Sequence, residues 1–113
     1  MTLTLLNLQT SVSGDTAVIT LSGELAVSGS AQMDAELNRI SEDHDPRTIV
    51  IDLAQLDFLD STGLRLVVLA DARATAEQRR LLLVRGNDSV HRVFEITRMA
   101  ERLNFVTSAA EAT

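Results

Sequence analysis

The hydrophobic positions at the start of the chain alternate as they do in β-strands. Apolar residues at 17, 19 and 21 alternate with Val18, Thr20 and Ser22, which is typical of a strand with one buried face. A less regular alternation over 3–8 predicts an opening strand, and Ser13-Gly14-Asp15 is a turn signal between the two. We therefore expect an N-terminal antiparallel hairpin, with Gly23-Glu24-Leu25 as the loop that leaves it.

Helical and continuous apolar patterns alternate along the rest of the chain. Met33, Leu37 and Ile40 fall at helical spacing, and Pro46 stops that pattern. A continuous run rich in β-branched residues at 48–53 and an apolar run at 81–84 are typical of strands that are buried on both faces. The elements expected are a helix over 30–41 capped by Ser28 or Ser30, a strand over 48–53, a loop over 56–63, a helix over 62–78, a strand over 81–84, a helix capped by Asp88 or Ser89, and a short strand over 104–106.

This order of elements predicts an α/β fold of the α+β-like kind. Strands that alternate with helices favour a mixed, mainly parallel sheet of four or five strands with helices packed on it, beside the N-terminal hairpin. The sequence contains no linker, repeat or low-complexity segment. We therefore expect one domain over 1–113, with a core over about 3–106 and a flexible tail over 107–113.

Composition narrows the range of functions. The chain is 45% hydrophobic, as expected of a globular domain, but only 3% aromatic, so it lacks the rings that single-stranded nucleic-acid binders use for stacking. Its net charge of −6 also disfavours direct binding to nucleic acid. The absence of cysteine excludes disulfides and thiolate chemistry. Without a signal-peptide pattern or an apolar stretch of about 18 residues, the chain is expected to remain in the cytoplasm and not to enter a membrane.

Asp60-Ser61-Thr62-Gly63 is the main candidate for chemistry, because it lies between a buried strand and a helix. One interpretation is structural: the hydroxyl of Ser61 or Thr62 caps the helix, and Gly63 allows close approach of backbone. The other interpretation is a phosphorylation site. A phosphate adds about −1.5 to −2 charges, which the helix end attracts and Asp57 and Asp60 repel. Such a charge would disturb a docked partner more than the fold itself.

Enzymatic use of Ser61 is the rival chemistry, and the sequence disfavours it. A serine nucleophile of the α/β-hydrolase type follows a glycine two positions earlier, where this chain has Leu59. His44 and His91 are the only histidines that could act as its base, one in an acidic loop and the other on a predicted helix. We therefore expect a protein that is not an enzyme.

Metal and cofactor sites are not expected either. The acidic run over 42–45 is interpreted as a solvated helix end, because no histidine pair or calcium-loop pattern accompanies it. The glycines are scattered singly, so no phosphate-binding loop is present. Arg79-Arg80 is interpreted as a solvated surface that could steer an acidic partner.

Three segments together resemble a known family. The run from Phe58 to Leu64 resembles the signature of bacterial anti-sigma factor antagonists, which are members of the STAS superfamily. Gly23-Glu24-Leu25 resembles that family's early loop, and the segment over 90–97 resembles its late helix. The three matches occur in the family's order, and the similarity covers about residues 3–106.

The resemblance implies a partner-switching mechanism. An unphosphorylated antagonist binds an anti-sigma factor that is also a serine kinase, and thereby frees a sigma factor. The kinase then phosphorylates the serine after the motif aspartate, here Ser61, with Thr62 as second choice, and a serine phosphatase reverses the modification. The residues implied at the contact are Glu24, Ala26, Asp60, Ser61, Thr62 and Gly63.

The chain departs from the family pattern at two positions. Ala26 stands where the early loop usually has an aspartate, and Arg98 stands where a glycine is common after the late helix. The alternatives are therefore an antagonist that binds its partner constitutively and an antagonist paired with an unusual kinase. A STAS module for protein interaction or small-ligand sensing is a further alternative.

Overall fold

The structure, a computed structural model, describes residues 5–112, so Leu3 of the expected opening strand lies outside the described residues. Its elements are β1 (Asn7–Ser13), β2 (Thr16–Leu25), a 3-10 turn (Val27–Gly29), α1 (Ser30–Asp43), β3 (Thr48–Leu59), α2 (Ser61–Ala76), β4 (Arg80–Val84), α3 (Asp88–Ile96), a 3-10 turn (Met99–Glu101), β5 (Phe105–Val106) and a 3-10 turn (Ala109–Ala112). Within residues 5–112, no helix combines the length and the apolar character needed to cross a membrane.

The strands form one sheet in the order β1-β2-β3-β4-β5. β1 pairs antiparallel with β2, and the remaining neighbours are parallel. Because parallel crossovers are right-handed and each strand lies beside the one before it, the three helices cover one face. The predicted fold class is confirmed.

The main core lies between the helices and that face of the sheet. Side chains from all three helices pack there against alternate residues of the strands, and Phe94 of α3 is fully buried. Val50, Leu82 and Val84 form a smaller cluster on the opposite face. Ala109, in the segment that the sequence predicts to be flexible, packs against this second cluster.

Two strands extend further than their patterns indicate. Gly23-Glu24-Leu25 was expected to be a loop, but it is the last part of β2, and β3 likewise continues to Leu59. The parallel register shifts between Gly23 and Glu24, where Gly23 has a φ of 85°. This irregularity interrupts the alternation in the sequence, while the backbone pairing continues to Leu25 and Leu59.

The predicted cap of α1 is wrong. Gly29 occupies the cap position, and neither Ser28 nor Ser30 provides a capping side chain. The reason is the 3-10 turn that leads directly into α1, since the Ser30 N–H is already bonded to the Val27 carbonyl. Backbone, not a hydroxyl, therefore satisfies the start of this helix.

The predicted cap of α3 is also wrong, by one or two residues. Asn87, not Asp88 or Ser89, caps the helix, because its side-chain oxygen accepts from the Val90 N–H at 2.9 Å. The Asn87 amide also donates to the Leu56 carbonyl at 3.3 Å. This side chain therefore ties the start of α3 to the far half of β3.

Arg79 corrects a further expectation, that 79–80 forms a solvated surface. Its side chain is only 8% exposed and lies 2.9 Å from both Glu77 and Asp45. It also donates to the Pro46 carbonyl. Arg79 therefore joins the loop after α1 to the loop after α2, whereas Arg80 is exposed as expected.

The hydrogen bonds from Arg79 and Arg73 to Glu77 make the stability of the fold depend on pH. Hydrogen bonds from Arg79, and then from Arg73, lower the pKa of Glu77 from 4.5 to about 2. A lowered pKa stabilises the fold above pH 4.5, and this contribution disappears as the pH falls towards 2. With a side chain 31% exposed, we expect Glu77→Gln to lower the free energy of unfolding near neutral pH by about 1 kcal/mol, measured by urea denaturation.

Wild type and Glu77→Gln should reach the same stability at acid pH. Protonation of Glu77 then removes from the wild type the ion-pair contribution that the variant lacks at every pH. Glu42→Gln is the matched control, since Glu42 is exposed and its side chain has no hydrogen bond or ion pair within residues 5–112. Its stability should follow the wild type at every pH. Parallel pH profiles for Glu77→Gln and the wild type would contradict the contribution assigned to Glu77.

Arg98 adopts a φ of 64°, in the left-handed region that favours glycine. It forms the turn between α3 and the Met99–Glu101 3-10 turn. This geometry explains why a glycine suits the position noted in the sequence. The arginine found here carries a backbone strain of about 1 kcal/mol.

Candidate functional site

The candidate site lies where β2 and β3 end side by side. Leu25 pairs with Leu59, so the residues that follow each strand leave the sheet at the same edge. Ala26 leads into the 3-10 turn, and Asp60 leads into α2. The topology therefore places Gly23-Glu24-Leu25 and the Asp60–Gly63 motif on adjacent segments.

Asp60, not a hydroxyl, caps α2. Its side-chain oxygen accepts a hydrogen bond from the Gly63 N–H at 2.8 Å, and its backbone has the extended conformation of a cap residue. The expectation that Ser61 or Thr62 caps the helix is therefore wrong. The Ser61 hydroxyl is exposed and has no hydrogen-bond partner in the part of the chain that the structure describes.

Gly63 allows α2 to approach the end of β2 very closely. A Cβ atom at this position would lie 2.0 Å from the Leu25 carbonyl oxygen and 3.2 Å from the Leu59 side chain. Glycine is thus required by the closeness of backbone to backbone, as the structural interpretation of the motif proposes. The contact fixes Ser61 beside the end of the early loop.

Thr62 occupies a different environment from Ser61. It is half-buried and lines a groove between α1 and α2 with a volume of about 380 Å³. Met33, Leu66 and Leu69 supply much of the apolar wall of this α1–α2 groove, and Arg65 also lines it. A partner or enzyme approaching from solvent therefore reaches the hydroxyl of Ser61 more easily than that of Thr62.

Two apolar side chains near the motif are exposed to solvent. Val27, next to Ala26, is 70% exposed, and Phe58, which pairs with Glu24, is 46% exposed. Exposed apolar surface of this kind is typical of protein-binding sites. Sequence reasoning missed Val27, because nothing in the sequence shows that the 3-10 turn leaves this side chain uncovered.

Three carboxylate side chains lie near the motif in the sequence or through strand pairing. Asp57 is exposed, and Glu24 and Asp60 are half-buried. Within residues 5–112, no group of three or more histidine, aspartate or glutamate side chains is arranged to hold a metal ion. A partner that docks here therefore meets an acidic surface with apolar contacts.

Neither histidine contacts Ser61. His44 follows the last turn of α1 and precedes β3, so it lies at the opposite edge of the sheet from the end of β3. The His91 ring packs edge-on against Phe105 at 4.9 Å and lies 6.2 Å from the Phe94 ring. The structure therefore does not bring a histidine to the Ser61 hydroxyl.

Comparison with known proteins shows what the chain is similar to. The family model described as "Mlab, STAS domain" matches residues 8–107. A curated relative from Bordetella bronchiseptica, named "Putative anti-sigma factor antagonist BtrV", is 35% identical over 77 residues. That match covers 68% of this chain and 66% of the relative, which is just under two thirds of its length.

Solved structures of one antagonist also match nearly the whole chain. The anti-sigma factor antagonist SpoIIAA in its unphosphorylated form is 25% identical with a TM-score of 0.77, covering 94% of this chain and 92% of SpoIIAA. The Bacillus cell fate determinant SpoIIAA in its phosphorylated form is 25% identical with a TM-score of 0.69, covering 96% of both chains.

Proposed function

The chain belongs to the STAS domain family, and from this membership we propose that it is an anti-sigma factor antagonist switched by phosphorylation of Ser61. The observation that carries the proposal is the exposed, unbonded Ser61 hydroxyl on the first turn of α2. Asp60 caps α2, so helix capping does not explain the presence of a hydroxyl at position 61. The existence of SpoIIAA in phosphorylated and unphosphorylated forms supports a switch of this kind.

In the proposed cycle, the unphosphorylated chain binds an anti-sigma factor with serine kinase activity, and a sigma factor is released. The kinase then transfers the γ-phosphoryl group of ATP to Ser61. A bond forms between Ser61 Oγ and phosphorus, the bond between the γ-phosphorus and the bridging oxygen breaks, and ADP and the hydroxyl proton leave. A serine phosphatase hydrolyses the phosphoserine and restores the hydroxyl with release of inorganic phosphate.

The contact with the kinase would centre on the adjacent ends of β2 and β3. Glu24 and Ala26 would border it on one side, with Asp60, Thr62 and Gly63 on the other. Because this surface is acidic with exposed apolar residues, it suits a partner whose rim is basic and whose centre is apolar. Sigma factors act on RNA polymerase, so the proposed place of action is the cytoplasm.

An alternative function is favoured by one specific feature of the early loop. Ala26 supplies no carboxylate beside Ser61, where the family pattern has an aspartate. The α1–α2 groove, which Thr62 lines, also offers space for a small ligand. The alternative is a STAS interaction or sensing module that works without phosphorylation.

The test uses the anti-sigma kinases of the organism that carries the chain. Each is purified and incubated with the chain and ATP, and the mass and modified position are read by mass spectrometry. We expect one of them to add a single phosphoryl group at Ser61, because this hydroxyl is exposed and unbonded. The modification should be absent in Ser61→Ala and retained in Thr62→Val.

Two results would reject the phosphorylation switch. One is a phosphoryl group that persists in Ser61→Ala. The other is a kinase that binds the chain but leaves it unmodified in the presence of ATP, which would favour the alternative module.

A further inference from the structure

Arg65 is a cation without a partner, one helical turn after Ser61. The residue is exposed, and its side chain forms no hydrogen bond or ion pair within residues 5–112. Arg73, two turns further along α2, differs because it pairs with Glu77 at 2.8 Å. Arg65 is also the only lysine or arginine within four positions of Ser61 in the sequence.

A phosphate on Ser61 would need a counter-ion, because its surroundings are acidic. The carboxylates nearby belong to Glu24, Asp57 and Asp60. The Gly63 N–H already donates to Asp60 at 2.8 Å, and the other N–H groups at this helix end carry only a partial positive charge. A side-chain cation is therefore the group best able to balance the new charge.

The position of Arg65 on α2 allows its side chain to balance the charge of the phosphate. Residues four apart on a helix share one face, with Cβ atoms about 5–6 Å apart. A guanidinium group can donate two parallel hydrogen bonds to a phosphate, which makes the contact directional as well as charged. Resting on the proposed function, we propose that Arg65 is the internal counter-ion of phosphorylated Ser61 and holds the phosphate against the first turns of α2.

Asp34 is the competing partner for Arg65. It lies on α1 and lines the same α1–α2 groove, but the two side chains form no ion pair. Phosphoserine carries more negative charge than a carboxylate, so it attracts the guanidinium more strongly. Removing the Asp34 charge should strengthen the contact between Arg65 and the phosphate. Its effect should therefore be opposite to that of removing the Arg65 charge.

The test places phosphoserine at position 61 during translation, so that no kinase is needed. Phosphorus NMR then follows the second pKa of the phosphate, which lies near 6 in free phosphoserine. We expect this pKa to be about 0.4 pH unit higher in Arg65→Gln than in the otherwise unchanged phosphoprotein, because the dianion loses its counter-ion. Asp34→Asn should lower the same pKa.

Arg73→Gln is the matched control, since it removes an equal charge from the same helix two turns away. It should change the phosphate pKa much less than Arg65→Gln does. Equal shifts for the two variants, or no shift for Arg65→Gln, would overturn the proposal. Because the phosphate is introduced without a kinase, a failure of Ser61 phosphorylation in the test of function leaves this measurement unaffected.

Discussion

Gly63→Ala is expected to lower the free energy of unfolding by about 3 kcal/mol. In an ordinary helix position the same change would stabilise by up to about 1 kcal/mol, because alanine is the better helix former. Here the added Cβ would lie 2.0 Å from the Leu25 carbonyl oxygen, and a backbone atom cannot move aside as a flexible side chain can. The clash therefore outweighs the gain in helix propensity, and urea denaturation would measure the difference.

Ser61→Ala is the control for this change, because it alters the same helical turn at an exposed position without a hydrogen bond. Its stability should stay within about 0.5 kcal/mol of the wild type. If Gly63→Ala proved as stable as Ser61→Ala, the close approach of α2 to β2 would be wrong. The placement of Ser61 beside the early loop would then lose its structural basis.

Much of the fold could be predicted because its signals are local. The runs at 48–53 and 81–84 and the alternation at 17–22 each coincide with an observed strand. The second halves of β2 and β3 could not be predicted in this way, since Gly23 and Asp57 are typical of loops. Their strand conformation comes from pairing with each other, which no short window of sequence contains.

The motif at 60–63 could likewise be recognised from the sequence, but which of its residues caps the helix could not. Whether Asp60 or Ser61 caps a helix depends on where the helical backbone begins, and that differs by one residue. The burial of Arg79 depends on Asp45 and Pro46, which the fold brings from a distant loop. Such contacts depend on tertiary structure, so the sequence shows the residue types but not which of them meet.

If the proposed function is right, phosphorylation of Ser61 is expected to weaken binding to the proposed anti-sigma kinase on the order of 100-fold while leaving the melting temperature nearly unchanged. The affinity falls because a docked partner must desolvate the new dianion beside Asp57 and Asp60 or leave it unpaired. The fold is spared because the Ser61 side chain is exposed and makes no hydrogen bond that the phosphate would break. Isothermal titration calorimetry with the cognate kinase and thermal unfolding of the free chain measure the two effects.

Phosphoserine at position 13 is the matched control, because Ser13 is also exposed but lies at the hairpin end of β1, opposite the ends of β2 and β3. It adds the same charge to the same protein, so it should leave the affinity close to that of the unmodified chain. Equal losses at positions 13 and 61 would mean that net charge, not the site, governs binding. A loss of affinity at Ser61 that came with a large drop in melting temperature would mean that the phosphate unfolds the domain, and partner switching on an intact surface would have to be abandoned.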